Sequence, residues 1–520
     1  MVLIWIMNIT KQKTVTAGFL VLIFSILGKI VSFVREISFS AVFGTTNLTD
    51  AYFSANVIPS ILNIPITISA LMFFIPLYND RRVNNGYNAA NVFSSNVLNV
   101  FTLITICLTI FVQIFAPLLI RLVAPGFDEE TFKYSVELLR LLCLSFPITL
   151  VTSVFINISN ANQKHFSPQL LVVINSSITI LAILFLAPKY GIYVVPISGL
   201  VAWFFQLFLQ HFFIKDMFTY KFIINFKDPY LRKIIILAIP VIIASFAEQI
   251  NLMVTNILCS QLGEGSISII NYALRILNLV NGTITIAILT VMYPVFSLLM
   301  AQKDYSKFSQ SFNSSIKICL LTVTPLAVLC LIGGFEIIKT IYYRGNMMLD
   351  AVTDISVVFI FYSIGIIFIA LREIYVRIFY TLNNSILPMY ISLGCSTLNI
   401  LLNILLIKKM GISGVALGAS ISNILYFVLV RSFLVRKFSF VSYSIEKKFY
   451  KELCLALLAS IIIWYLYKYF FYIDNIAYFF IASCLTLGMY VLILYLLKNR
   501  EMIFLISGIK DKVNMYINRK

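Results

Sequence analysis

Three cations interrupt long apolar runs in this 520-residue chain, and their types and spacing define the chemistry available to it. Lys29 and Arg35 fall in one run, Asp50 opens the next, and Arg275 sits in a run much further along. A Lys or Arg at the centre of a membrane helix costs about 2.5–3.5 kcal/mol on insertion scales, so such a side chain faces a partner or a watery cavity. Cations converging in a cavity suit a diphosphate, because guanidinium grips phosphate oxygens in a fork and an ammonium adds a point charge. Asp50 is placed to steady Arg35. The competing use of these residues is an internal ion-pair set among Lys29, Asp50, Arg275 and Glu248; with Arg35 counted, cations outnumber anions, and unpaired buried charge is costly. Glu248 is either a pairing partner or a carboxylate for cation coupling. Asn399 and Asn403, four apart, share a helix face. They could coordinate a monovalent cation beside backbone carbonyls, or bond across to a neighbouring helix.

These residues need elements that hold charge inside a bilayer. The chain is 60% hydrophobic and only 12% charged, with a mean hydropathy of +0.96, which excludes an ordinary soluble domain. Apolar runs of about 20 residues, the length of a membrane-crossing helix, recur from end to end. The expected fold is all-α and polytopic, with about 14 spans. Residues 1–214 hold six, a linker follows over 215–233, and residues 234–434 hold six more. Residues 435–520 comprise a basic loop, a final helix pair and a tail. Met1 to Met7 is too short for a signal sequence, so an uncleaved first helix is expected. Counting from Thr14 at a rise of 1.5 Å per residue, Lys29 lies about 22 Å along its helix. Arg275 lies about 12 Å past Ile267, entering from the other side.

Loop charge orients the spans. Arg81, Arg82, Lys164, the cluster from Lys215 to Lys233, Lys303, Lys307 and Arg431 to Lys451 all fall on one side. Asp128, Glu129, Glu130, Glu264, Asp350 and Asp354 fall on the other. The positive-inside rule puts the first set, and both termini, in the cytoplasm; Lys408 and Lys409 are the exception. It also accounts for the net charge of +18, since the cations never form a dense tract with interleaved aromatics and no nucleic-acid partner is expected.

A shift of 220 positions lays Tyr52 on Tyr272, Pro168 on Pro388, Lys189 on Lys409 and Gly191 on Gly411. The two groups of six therefore read as parallel repeats related by an axis along the membrane normal, an arrangement that supports alternating access. The eight cysteines form no C-x-x-C pair, so neither a disulfide framework nor a metal site is expected. The short loops carry no clustered carboxylates for an enzyme's chemistry, so a transporter is expected and not a glycosyltransferase or polymerase.

The wording ILGKIVSFVREISFSAVFGTTNLTDAYFSANVIPSIL, followed by FFIP, resembles the first two helices of the MurJ/MviN-type lipid II flippases. Arg35, Asp50, the Phe43–Gly44 pair and the run Asp50 to Phe53 match the family, Lys29 stands where it commonly has arginine, and Tyr272 to Arg275 resembles its Y-A-x-R. The resemblance implies a bacterial plasma-membrane flippase, monomeric and without a cofactor. Such a protein moves an undecaprenyl-diphosphate-linked saccharide by rocking between inward-open and outward-open states. Membrane potential or a monovalent cation is the candidate driving force, and the last two helices form a groove for the lipid tail. It also places Lys29, Arg35, Asp50 and Arg275 in a central diphosphate cavity. There is one departure: Asn63, Ile64 and TISALM stand where the family carries an arginine pair and A-E-G-A. It keeps a capsule or O-antigen precursor as alternative cargo, and a drug or cation antiporter of the same superfamily as an alternative function.

Overall fold

A computed structural model describes residues 14–382, 384, 386–438, 446–470 and 476–503. The N-terminal segment, the middle of the basic loop and the tail lie outside the described residues. Every regular element among the described residues is helical. In chain order these are α1 (Thr14–Phe43), α2 (Asn47–Met72), α3 (Phe74–Val123), α4 (Glu129–Cys143), α5 (Ser145–Ala161) and α6 (Phe166–Tyr190). A 3-10 turn (Gly191–Tyr193) leads to α7 (Val194–Ile214), α8 (Pro229–Cys259) and α9 (Ser266–Ala301). Then come α10 (Tyr305–Ile332), α11 (Gly334–Tyr342), α12 (Leu349–Ser363), α13 (Ile366–Thr381), α14 (Ile386–Met410) and α15 (Ile412–Lys437). The final pair is α16 (Lys447–Phe470) and α17 (Ile476–Leu496).

The outer faces of the helices are apolar, and polar residues are set among the apolar ones inside. On α7, Ile197, Val201, Phe204, Phe208 and Phe212 are exposed, whereas Ser198, Gln206 and Gln210 are buried. The second half of α3 repeats the outward row with Leu103, Ile106, Ile110, Ile114 and Leu118, all exposed at helical spacing. Such rows belong in hydrocarbon, where inward polar groups tie helices together. Some of these inward groups bond across helices: Asn175 Nδ2 donates to Gln206 Oε1 at 3.1 Å and Gln210 Nε2 to the Phe155 carbonyl at 3.4 Å.

Among the described residues, eight stretches are long and apolar enough to cross a membrane, or nine when α12 and α13, bent by 42°, count as one span. One of them, Phe166–Ile214, holds the two expected spans α6 and α7. The other four expected spans correspond to α1, α2, α8 and α9, which are not among these stretches and whose side chains are only partly among the described residues.

The chain divides into two compact units, Met1–Ser268 with Arg344–Met348, and Ile269–Tyr343 with Leu349–Lys520. In the first, α1 packs on α6 through Gly28, where a methyl would touch Val172 at 3.4 Å, and through the Ser32–Ser176 hydroxyl pair at 3.0 Å. Its core gathers Phe74, Tyr78, Phe93, Leu150, Val154 and Leu231. Helix α8, which the sequence assigns to the second group of six, packs on α2 and α3 within this first unit. In the second unit, α16 and α17 pack on each other and on α10, burying Leu321, Leu453, Ala456 and Tyr490. The Lys317–Glu501 and Lys468–Glu336 ion pairs reinforce this packing.

Candidate functional site

Helix α1 carries the first cations. Lys29 is exposed, one residue past the buried Gly28 that seats α1 on α6. Arg35 is half-buried and its Nη2 donates to Glu36 Oε1 at 2.9 Å. The expected partnership of Arg35 with Asp50 is not formed. Asp50 is 2% exposed, and burial obliges a carboxylate to find donors on all sides. It finds them in the chain entering α9: Oδ2 accepts from the Gly265 N–H at 2.8 Å and Oδ1 from the Ser268 N–H at 2.7 Å, with the Ser268 hydroxyl also donating to Oδ1. These donors, like Asp50, belong to the first unit. The arrangement is an N-terminal cap supplied in trans, a carboxylate satisfying orphan N–H groups where the helix dipole is positive.

The connections around this cap are closely fitted. Asn47 N–H donates to Glu264 Oε1 at 3.1 Å. Gly265 has φ +80°, and a Cβ there would lie 2.9 Å from the Thr45 carbonyl oxygen, so backbone conformation and space both demand glycine. Residues 344–348 join the same cluster. The Asn346 N–H donates to the Ala41 carbonyl at 2.8 Å, and its Nδ2 donates to the Val42 carbonyl at 2.7 Å. The Phe43–Gly44 and Asp50–Phe53 motifs are explained here, because Phe39 packs against Phe43, Tyr52 and Phe53 at 5.1–5.6 Å between ring centroids.

Asn63, which stands where the resembled family carries an arginine pair, ties two helices of the first unit. Its Nδ2 donates to Thr149 Oγ1 at 3.1 Å and its Oδ1 accepts from Thr67 at 3.3 Å.

In the second unit, Arg275 is half-buried on α9. The motif residues before it are core: Tyr272 and Ala273 are fully buried, and Tyr342 lies 5.0 Å from the Tyr272 ring and donates its hydroxyl to the Tyr272 carbonyl at 3.1 Å. Glu248 is on α8, and its side chain lies outside the described residues. Asn399 and Asn403 come together on α14, buried against α15. Asn403 donates to the Val415 carbonyl at 3.3 Å and to the Asn399 carbonyl at 3.2 Å.

The sequence reading passed over the charged groups of α13. Arg372 on α13 donates to Asn423 Oδ1 and Glu373 Oε1, both at 2.8 Å, and lies over the Tyr426 ring at 4.8 Å. The signal was present as L-R-E-I-Y-V-R inside an apolar run, and it deserved the same weight as Lys29. Among the described residues, no group of three or more His, Cys, Asp or Glu is arranged to hold a metal ion.

The comparisons with known proteins decide the family. The model of the MurJ lipid II flippases matches residues 39–483. The chain belongs to the MurJ family. A MurJ relative described as a probable lipid II flippase from Rickettsia prowazekii is 27% identical over 414 residues, covering 78% of this chain and 81% of the relative. One from Buchnera aphidicola subsp. Schizaphis graminum, described in the same words, is 29% identical over 441 residues, covering 82% and 83%. A solved structure of lipid II flippase MurJ in an inward closed conformation matches with a TM-score of 0.78 at 26% identity, covering 94% of this chain and all of the other. An inward-facing multidrug transporter of the MATE family matches with a TM-score of 0.65 at 13% identity, over 78% of this chain; that likeness concerns the fold alone.

Proposed function

We propose that this chain moves lipid II, an undecaprenyl-diphosphate-linked peptidoglycan precursor, from the inner to the outer leaflet of a bacterial plasma membrane by alternating access. The observation that carries this reading is the family match over residues 39–483, joined to a fold shared along nearly the whole chain with a lipid II flippase. The chemistry agrees with it. Lys29, Arg35 and Arg275 are the proposed diphosphate contacts, each supplying a phosphate-binding charge that only a watery environment tolerates at such depth. Asp50, committed to the Gly265 and Ser268 donors, acts by holding the entry to α9 and does not touch the diphosphate.

The two groups of six helices are proposed to be parallel repeats that move against each other, with both termini cytoplasmic. The backbone at Gly191 and Gly411, 220 positions apart, supports the repeat: φ/ψ is 63°/−153° at the first and 58°/−138° at the second. No cofactor enters this scheme, and the driving force is membrane potential or a monovalent cation. The test is replacement of an essential lipid II flippase in depleted cells. Growth and normal shape are expected; lysis despite normal expression and insertion would overturn the reading.

A further inference from the structure

The segment between α7 and α8 is built as a fixed strap. Three polar side chains of α3 hold its backbone. The Lys221 N–H donates to Ser95 Oγ at 3.0 Å, Asn99 Nδ2 donates to the Ile223 carbonyl at 3.0 Å, and Asn96 exchanges two bonds with Asn225, at 2.7 Å to its N–H and 2.9 Å to its carbonyl. Tyr220 adds a bond from its hydroxyl to Asn99 Oδ1 at 2.9 Å. Ser95, Asn96 and Asn99 are all buried, so these bonds are sheltered from water and the strap is held at every second residue, 221, 223 and 225.

The residues between them carry the apolar groups. Phe222 is 78% exposed, Phe226 55% and Ile224 43%. The residues whose backbone is bonded, 221, 223 and 225, alternate with Phe222, Ile224 and Phe226, and the chain turns at Phe226 and Lys227. Along residues 215–233, Lys215, Lys221, Lys227, Arg232 and Lys233 are exposed, against one exposed acid, Asp216. Asp228 is occupied by Arg81 at 3.1 Å and by capping α8.

Two observations say what covers this patch. The lipid-facing row of α7 ends at Phe208 and Phe212, with Lys215 Nζ 4.8 Å above the Phe212 ring. The outward row of α8 resumes with Ile236 and Ile239, both exposed. The strap thus bridges the ends of two hydrocarbon-facing rows, at the level where aromatic residues and lysines anchor to headgroups. Its excess of positive charge complements anionic lipid.

We propose that residues 218–228 form a membrane-interface anchor, with Phe222, Ile224 and Phe226 entering the acyl boundary while the surrounding lysines and arginine bind anionic phospholipid headgroups. The site is separate from the diphosphate contacts and does not depend on the cargo. The full chain carrying Phe222→Trp, or Ile224→Trp should the first fold poorly, is reconstituted in vesicles. Its added fluorescence, taken against the parent chain with its three native tryptophans, is followed with phosphatidylcholine or phosphatidylglycerol brominated near the headgroup. Both lipids should quench it, phosphatidylglycerol several-fold more at equal mole fraction, and Lys221→Gln with Lys227→Gln should remove that difference. Fluorescence quenched by iodide in water but not by brominated lipid would overturn the anchor, as would fluorescence reached by neither. Equal quenching by the two lipids in the lysine-containing protein would overturn the headgroup assignment.

Discussion

The hairpin α6–α7 in the first unit and the hairpin α14–α15 in the second follow one backbone plan and differ in what they hold inside. Each begins with a buried proline, Pro168 or Pro388, and turns at a glycine with positive φ, Gly191 or Gly411. At the positions of Asn399 and Asn403 the first hairpin has Thr179 and Ile183. Thr179 spends its hydroxyl on its own helix, donating to the Asn175 carbonyl at 3.1 Å, and Ile183 is plain core. The second hairpin also has glycines where the first has Val194 and Ser198: Gly414 and Gly418 bring α15 against Leu406 and Asn403. The second hairpin thus packs more closely at its glycines and pairs two asparagines on one helix, whereas the first joins its two helices through Asn175 and Gln206.

Making the second hairpin resemble the first breaks it unevenly. Gly414→Val should cost the most, about 3 kcal/mol, because even a Cβ would lie 2.5 Å from the Leu406 carbonyl oxygen, which is backbone and cannot step aside. A fall in the thermal midpoint of the purified protein, larger than that of Val194→Ala at the matching buried position, would show it. The first unit has its own unmatched residue in Asp50, whose counterpart 220 positions on is Ile270. Asp50→Ala leaves two N–H groups and a hydroxyl without their acceptor and should destabilise by about 2 kcal/mol. Asp50→Asn should recover part of this, and hydrogen exchange at Gly265 and Ser268 reports the change directly. Smallest is Asn403→Ile, which removes a bond between helices worth about 1 kcal/mol in membrane proteins. If the pair only joins α14 to α15, flipping by this variant keeps the parent's response to monovalent cations; loss of that response would make the amides a coupling site.

The all-helical membrane frame was legible because hydrophobic run length depends on local composition. The turns at Gly191 and Gly411 and the core role of Tyr272 follow from residue type and position. What the sequence did not disclose were partners. Asp50 and Arg35 lie only 15 positions apart, yet Asp50 bonds to residues more than 200 positions away and Arg35 to its immediate neighbour. Backbone N–H groups leave no mark in a sequence, so a carboxylate that caps a distant helix is indistinguishable there from one that pairs with an arginine. Arg372 likewise bonds to Asn423, 51 positions away, a partner its sequence neighbourhood does not mark. Asn63 was read for the cation it replaces, whereas its role is a bond to Thr149.

The central claim is that cations set within the membrane-spanning helices carry a lipid diphosphate across the bilayer. Its most direct test is the rate at which lipid II crosses vesicle membranes containing the purified full chain, compared with chains carrying Lys29→Ala or Arg275→Ala that insert and melt normally. The account predicts protein-dependent flipping that falls at least tenfold in each variant, the loss expected for one charge-assisted phosphate contact of about 1.4 kcal/mol or more. Flipping by both variants at the unsubstituted rate would contradict it.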